Sequence, residues 1–177
     1  MNIIYDNGMY FIWFGICFIG YAIRTAFNVL AYRKHPWAEN KKIVTLVFIV
    51  MGILWFSWFS MCFNDPVKMI IPVWLRYLGL LFFLIGFFLF VISHRKMKGF
   101  EDKGGLVTSG IYSKIRNPMY LGFMIWIVGF PVFTRSLISL ASSPIWIAFI
   151  FFWKILEEKD LERKYVEYKA YKRKTWF

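Results

Sequence analysis

Leu106-Val-Thr-Ser-Gly-Ile-Tyr-Ser-Lys-Ile-Arg-Asn-Pro-Met-Tyr-Leu-Gly122 is a polar stretch between two long apolar runs. Within it, Asn117-Pro118 predicts a helix start, because asparagine is a preferred N-cap and proline is preferred at the first helical position. A helix start carries unpaired backbone N–H groups and a partial positive charge, and Arg116 lies beside it. This combination favours an anionic ligand such as a carboxylate or a phosphate. A capped membrane helix with one flanking arginine explains the same residues without a ligand.

The composition is that of a membrane protein. Of the 177 residues, 59% are hydrophobic and 23% aromatic, and the mean hydropathy is +0.53. Apolar runs of about 20 residues recur, which is enough for a helix to cross the roughly 30 Å hydrocarbon core. The sequence therefore predicts an all-α polytopic membrane protein with a single integral membrane domain over residues 1–177. No small-residue cleavage site follows the first run, so we expect it to be retained.

Five membrane helices are predicted from these runs. They cover approximately residues 9–32, 43–63, 72–93 and 118–133, with a fifth that begins somewhere in 136–143. The fourth is short for a full crossing. Pro144 either starts the fifth helix or kinks a longer one. No breaker follows, so the fifth helix is expected to continue through residues 157–171 into the cytoplasm.

The basic residues predict the orientation. The formal net charge is +12, and most of the positive charge lies in short loops, chiefly residues 33–42 and 94–117. A positive-inside bias explains this distribution better than nucleic-acid binding does. We therefore expect the N-terminus outside and the C-terminus cytoplasmic. Residues 1–93 would form three N-terminal helices, and residues 94–177 a cofactor-binding region with two more.

The sequence offers no pattern typical of a metal site or a disulfide framework. The two cysteines lie inside apolar segments, and the two histidines are single residues in basic loops. We expect no metal. Gly104-Gly105 lacks the spacing of a phosphate-binding loop and no strand precedes it, so it is interpreted as a hinge.

Two arginines and two glycines inside the apolar runs need an explanation. An intramembrane arginine is by default a candidate functional residue. Arg24 lies within about two turns of a basic helix end, so snorkelling towards the headgroups explains it more simply. Arg76, near a helix start, is interpreted in the same way. Gly79 and Gly86 are one heptad apart and indicate a close helix–helix contact.

Two segments resemble a known family. Gly110-Ile-Tyr-Ser-Lys-Ile-Arg-Asn-Pro-Met-Tyr-Leu-Gly122 is similar to the Gly-x-Tyr-x-x-x-Arg-His/Asn-Pro-x-Tyr signature of the isoprenylcysteine carboxyl methyltransferases, a family that includes phospholipid N-methyltransferases. Glu157-Glu-Lys-Asp-Leu161, followed by spaced tyrosines at 165, 168 and 171, resembles a second feature of that family. Both segments flank predicted membrane helices at their inner ends, so we expect them to meet at the cytoplasmic membrane face.

The resemblance implies S-adenosyl-L-methionine as the methyl donor. Arg116 and the helix start would hold its carboxylate, a glutamate would take its amino group or ribose hydroxyls, and tyrosine faces would contact its adenine or sulfonium. The predicted catalytic residues are Arg116, Glu157 and Glu158. The predicted cofactor-binding residues are Thr108, Gly110, Tyr112, Arg116, Asn117, Pro118, Tyr120, Glu157 and Glu158.

The acceptor is expected to be a lipid or prenylated molecule. A prenylcysteine-type carboxylate is already ionised and needs no base, and Asn117, where relatives often carry histidine, cannot titrate. These points favour an acceptor that needs no base, and isoprenylcysteine carboxyl O-methylation, the activity that the resemblance implies, is the first prediction. Phospholipid N-methylation, as on phosphatidylethanolamine, is the alternative; its ammonium group must lose a proton, for which Glu157, Glu158 or Tyr112 would serve.

Other interpretations stay open. The chain could be an NADPH-dependent membrane reductase, although such enzymes are generally much larger, or a non-catalytic membrane scaffold. The glutamates could be solvated residues that pair with Lys154 or Arg163 at helical spacing. The three spaced tyrosines are interpreted as interfacial anchors, and the basic tail 172–177 as resting on anionic headgroups. The membrane would be the cell membrane in a prokaryote and the endoplasmic reticulum in a eukaryote.

Overall fold

The computed structural model describes residues 7–101 and 105–177, and these residues form helices joined by short connections. The six α-helices are α1 (Asn7–Tyr32), α2 (Lys41–Phe63), α3 (Val73–Glu101), α4 (Pro118–Thr134), α5 (Leu137–Lys164) and α6 (Tyr168–Lys174). Two short 3-10 turns, Pro36–Glu39 and Gly110–Ser113, lie in the connections. Gly104 of the predicted hinge lies outside the described residues.

The prediction of a multi-pass integral membrane protein is confirmed. Four helical segments are long and apolar enough to cross a membrane: Gly8–Tyr32, Lys41–Phe63, Val73–Met97 and Leu137–Lys164. Helix α4 is apolar and has only 17 residues, which agrees with the prediction that it is short for a full crossing. The orientation of the bundle stays a prediction.

Two predictions about α5 are settled by its boundaries. The helix begins at Leu137 and Pro144 lies inside it, so Pro144 does not start it. The prediction that α5 continues to residue 171 is wrong, because the helix ends at Lys164 and the backbone becomes extended at Tyr165. A separate helix, α6, then begins at Tyr168, whose side chain is fully buried. Burial of this tyrosine requires the chain to turn back, which a straight helix would prevent.

Aromatic side chains hold α1 against α5. The ring of Tyr21 stacks on Trp146 and on Trp153, at centroid distances of 5.0 and 5.1 Å. The indole Nε1 of Trp153 also donates a hydrogen bond of 2.7 Å to Thr25 Oγ1. Such aromatic pairs contribute on the order of 1 kcal/mol each beyond the area they bury. These contacts fix the position of the neighbouring Arg24 relative to α5.

The predicted close contact at Gly79 and Gly86 is confirmed. These glycines of α3 face Gly129 and Gly122 of α4, which are also one heptad apart. A Cβ placed on Gly86 would lie 2.5 Å from the Gly122 carbonyl oxygen, and one on Gly79 would lie 2.8 Å from that of Gly129. The two backbones therefore touch, an approach that only small residues allow.

We expect Gly86→Ala to destabilise the protein by about 1–3 kcal/mol, because its Cβ would overlap backbone atoms that cannot move freely. Thermal unfolding of the detergent-purified protein measures this effect. Gly52→Ala is the matched control: Gly52 also lies within a membrane helix, but nothing lies within 4 Å of a Cβ placed there. Equal melting temperatures for the two variants would contradict the close-contact interpretation.

Polar contacts tie the loop between α2 and α3 to the start of α5. Asp65 is fully buried, and its Oδ2 accepts hydrogen bonds from the backbone N–H and the hydroxyl of Ser139, at 2.7 and 2.8 Å.

Arg76, near the start of α3, contacts Phe133 of α4. Its Nε donates a hydrogen bond of 3.3 Å to the carbonyl of Phe133, and its guanidinium lies over the Phe133 ring. Arg76 therefore binds the carboxyl end of α4, and its interpretation as a snorkelling anchor stays a prediction.

Candidate functional site

The structure brings the two family-like segments together around one cavity of about 290 Å³. Helices α3, α4, α5 and α6 and the connection before α4 contribute to its wall. The lining residues are Met97, Gly105, Leu106, Val107, Tyr112, Arg116, Asn117, Met119, Tyr120, Glu157, Leu161, Tyr165, Tyr168 and Tyr171. This cavity, called the motif cavity below, combines a mostly apolar and aromatic wall with a few polar groups, which is typical of a small-molecule site.

Glu157 presents its carboxylate at the wall of the motif cavity. Tyr120 Oη donates a hydrogen bond of 2.6 Å to Glu157 Oε2. Among the described residues no cation lies within ion-pair distance of this carboxylate. The neutral phenol of Tyr120 thus orients the Glu157 side chain, and the negative charge of that carboxylate has no directly paired cation among the described residues.

Glu158, the next residue, lies outside that cavity in a cluster of cations. Its Oε1 is 2.8 Å from Arg116 Nε and 3.4 Å from Lys154 Nζ, and its Oε2 is 3.4 Å from Lys172 Nζ. Only 8% of its side chain is exposed. The alternative of a solvated glutamate is therefore wrong for Glu158, although its predicted pairing with Lys154 is present. Its role is to hold the residues that form the cavity wall.

Asn117 does not cap α4 with its side chain, contrary to the prediction. Its amide Nδ2 instead donates to Glu158 Oε1 at 2.5 Å and to the carbonyl of Phe177 at 2.8 Å. Helix α4 still begins at Pro118, as predicted. The charged carboxylate of Glu158 accepts a charge-assisted hydrogen bond from this amide, and such bonds are stronger than those between neutral groups. The start of α4 therefore borders the motif cavity without a side-chain cap.

The C-terminal segment is fastened to the first motif. Arg116 Nη1 donates to the carbonyls of Lys172 and Thr175, at 3.2 and 3.1 Å. A backbone pairing adds hydrogen bonds of 2.9 Å from Arg116 N–H to the Trp176 carbonyl and from Trp176 N–H to the Lys114 carbonyl. The tail therefore binds the residues that precede α4 through its backbone, and its predicted contact with anionic headgroups stays a prediction.

The three spaced tyrosines line the motif cavity. Tyr168 is fully buried, and Tyr171 Oη donates to the carbonyl of Tyr112 at 2.6 Å. The interfacial-anchor interpretation is thus wrong for these two side chains. Burial raises the pKa of Tyr112, Tyr168 and Tyr171 above that of a free tyrosine, so all three stay protonated near neutral pH. Tyr112 is for this reason a poor general base.

Besides Glu158, three predicted cofactor-binding residues do not line the motif cavity. Thr108 faces a separate cavity beside Tyr171 and Thr175. Gly110 has a positive φ of 66°, a conformation that glycine adopts readily, and this shapes the turn before α4. Pro118 is buried as the first residue of α4. These residues shape or flank the site, whereas the other predicted residues except Glu158 reach its wall.

Sequence reasoning missed Arg24 as a site residue. A second cavity of about 140 Å³ lies beside the first, and its wall includes Arg24, Tyr120 and Glu157. The snorkelling interpretation of Arg24 stays a prediction, and its place in this wall makes Arg24 a candidate site residue as well. The signal that could have found it was its intramembrane position, which marks a candidate functional residue by default.

Comparisons with known proteins agree with this architecture. The sequence profile described as "Phospholipid methyltransferase" matches residues 74–168, just over half of the chain. Searches of curated proteins and of solved structures gave no significant match. Among the described residues, no group of three or more histidine, cysteine or acidic side chains is placed to hold a metal ion. This chain belongs to the phospholipid methyltransferase family of integral membrane methyltransferases.

Proposed function

We propose that the protein uses S-adenosyl-L-methionine to methylate a lipid-soluble acceptor, and that the motif cavity is the donor site. The observation that carries this proposal is the convergence of both family-like segments on one cavity beside the uncapped start of α4. Within the single membrane domain of residues 1–177, we assign cofactor binding to residues 94–177. We assign the site to the cytoplasmic membrane face because the flanking loops are basic.

The residues around the motif cavity fit this donor. Its carboxylate suits the positive end of α4 and the cations beside it. Within the described part of the chain, Arg116, Lys154 and Lys172 form ion pairs with two carboxylates, those of Glu158 and Glu162. Tyrosine rings in the wall offer faces for adenine and for the cationic sulfonium. The cavity volume, about 290 Å³, lies at the lower end of the roughly 300–1,000 Å³ range of ligand pockets.

The chemistry assigns a specific task to Glu157. When bound, S-adenosyl-L-methionine supplies a methyl group that a nucleophile takes by in-line displacement at carbon. An ammonium acceptor must first lose a proton, and the Glu157 carboxylate at the cavity wall is placed to receive it. The nitrogen lone pair then forms the new N–C bond as the S–C bond breaks. The mostly apolar and aromatic wall would limit access of water to the reacting atoms and orient the acceptor.

Two acceptors remain to be separated by experiment. The resemblance in sequence predicts the carboxyl group of an isoprenylcysteine. The amine of a phospholipid headgroup is the second candidate, and the position of Glu157 favours it, because this carboxylate attracts an ammonium ion and repels a carboxylate. The description of the matching family supports the same choice.

Calorimetric titration of the detergent-purified protein with S-adenosylhomocysteine tests the donor site. We expect Arg116→Ala to weaken binding by about tenfold or more, because the variant removes a cation beside the cavity and releases the C-terminal segment. Arg173→Ala is the matched control, since Arg173 is exposed on the same segment.

Unchanged affinity in Arg116→Ala would contradict the assignment of this arginine. Absence of binding in well-folded wild-type protein would contradict the proposed function as a whole. A titration with NADPH would then distinguish the two other interpretations. Binding of NADPH would favour a reductase, and binding of neither NADPH nor S-adenosylhomocysteine would favour a non-catalytic scaffold.

A further inference from the structure

We propose that the second cavity binds the acceptor's polar headgroup, with Arg24 holding its anionic group and Glu157 its amine. This inference rests on the proposed function and deepens it. It assigns an acceptor site to α1, which lies outside the residues matched by the family profile.

The second cavity lies between α1 and α5. Its wall consists of Arg24, Asn28, Ala31 and Tyr32 from α1, Tyr120 from α4, and Trp153, Leu156, Glu157 and Asp160 from α5. The hydrogen bond from Trp153 to Thr25 fixes the two helices beside it. The cavity is therefore a defined space between packed helices.

The two cavities share one wall. Tyr120 and Glu157 are the residues common to both linings, and the hydrogen bond of 2.6 Å joins them. A donor in the motif cavity and an acceptor in the second would thus meet across this pair. Methyl transfer needs neighbouring sites, because the acceptor must reach the methyl carbon directly, from the side opposite the sulfur.

The charges of the second cavity lack ion-pair partners within the described part of the chain. Neither Arg24 nor Glu157 has an ion-pair partner within 4.0 Å there, and Arg24 Nε is buried without a hydrogen bond. The guanidinium interacts with the neutral Tyr120 hydroxyl and lies over the ring of Phe27, at 5.7 Å from its centroid. Unpaired charges within a membrane span are costly. A ligand that carries both signs would pair with both residues at once.

A phosphate-linked amine has the required chemistry. The guanidinium binds phosphate oxygens through directed hydrogen bonds, and the Asn28 amide adds a donor to the same wall. The amine would lie at Glu157, beside the shared wall. Asp160 is a weaker second partner for it, because Lys164 Nζ already lies 2.6 Å from its carboxylate.

The test is calorimetric binding of short-chain phosphatidylethanolamine to the full-length protein saturated with S-adenosylhomocysteine. We expect Arg24→Ala and Arg24→Gln to weaken this binding by about 10- to 100-fold and to leave S-adenosylhomocysteine affinity unchanged. Arg24→Lys should retain part of the affinity. Arg33→Ala, an exposed arginine just beyond the same helix, is the matched control.

Three further probes separate the parts of the headgroup. Phosphatidylglycerol has the phosphate without the amine, an alkylamine has the amine without the phosphate, and free phosphoethanolamine has both without the chains. We expect Arg24→Ala to weaken the binding of phosphatidylglycerol and of phosphoethanolamine and to leave the binding of the alkylamine unchanged. If phosphatidylethanolamine binds more tightly than free phosphoethanolamine, the ligand is a lipid headgroup.

An equal loss for the alkylamine would overturn the assignment of phosphate to Arg24. If S-adenosylhomocysteine binds and Arg24→Ala leaves lipid affinity unchanged, this inference fails while the proposed function stands. If wild-type protein does not bind S-adenosylhomocysteine, the proposed function itself fails.

Discussion

Glu157→Gln is expected to lower the rate of methyl transfer to an amine acceptor by about 10²- to 10⁴-fold, the usual contribution of general acid–base catalysis. Glutamine keeps the shape of the side chain and can still accept the hydrogen bond from Tyr120, but it cannot take up a proton or attract an ammonium ion. Single-turnover methyl transfer to phosphatidylethanolamine, at saturating S-adenosyl-L-methionine, measures the effect. Glu39→Gln, in an exposed turn, is the control.

The same variant decides between the two acceptors. An isoprenylcysteine carboxylate needs no base and is repelled by Glu157, so Glu157→Gln should preserve or increase the rate of its methylation. If Glu157→Gln lowers the rate of methylation of the amine acceptor and not that of the carboxylate acceptor, Glu157 is the base. An equal loss on both acceptors, accompanied by weaker S-adenosylhomocysteine binding, would instead assign Glu157 to the donor and contradict its role as a base.

Local patterns in the sequence predicted most of the fold. Apolar runs predicted the membrane helices, and Asn117-Pro118 predicted the start of α4. The heptad spacing of Gly79 and Gly86 predicted their close contact because helix periodicity alone puts both residues on one face. Where a physical rule acts within a few turns of helix, the sequence was sufficient.

Long-range contacts account for the errors. Nothing near residue 165 marks a helix end, since the turn depends on burial of Tyr168 against distant residues. Asn117 was predicted to cap its own helix, but its amide binds Glu158, 41 residues further along the chain. Arg24 was judged by its distance from a helix end, whereas its surroundings come from α4 and α5. Residue types and the family resemblance therefore predicted the candidate site. They did not predict that it consists of two neighbouring cavities.

The second large effect is expected from Glu158→Ala. This carboxylate is the common partner of Arg116, Lys154 and Lys172 and of the Asn117 amide. Its removal leaves the buried cations of Arg116 and Lys154 without a carboxylate partner among the described residues, a type of change that typically costs about 3–5 kcal/mol, whereas the more exposed Lys172 keeps Glu162. We expect a clearly lower melting temperature and the loss of S-adenosylhomocysteine binding, because Arg116 would no longer hold the C-terminal segment in place.

Glu162→Ala is the matched control, because this glutamate pairs with Lys172 alone at a more exposed position and should contribute no more than about 1 kcal/mol. Limited proteolysis provides a second measurement. Release of the segment should expose residues 168–177 in Glu158→Ala and leave them protected in Glu162→Ala. Similar stability and protection in the two variants would mean that the tail is held by its backbone pairing with residues 114–116, and that Glu158 is not what fastens it to the site.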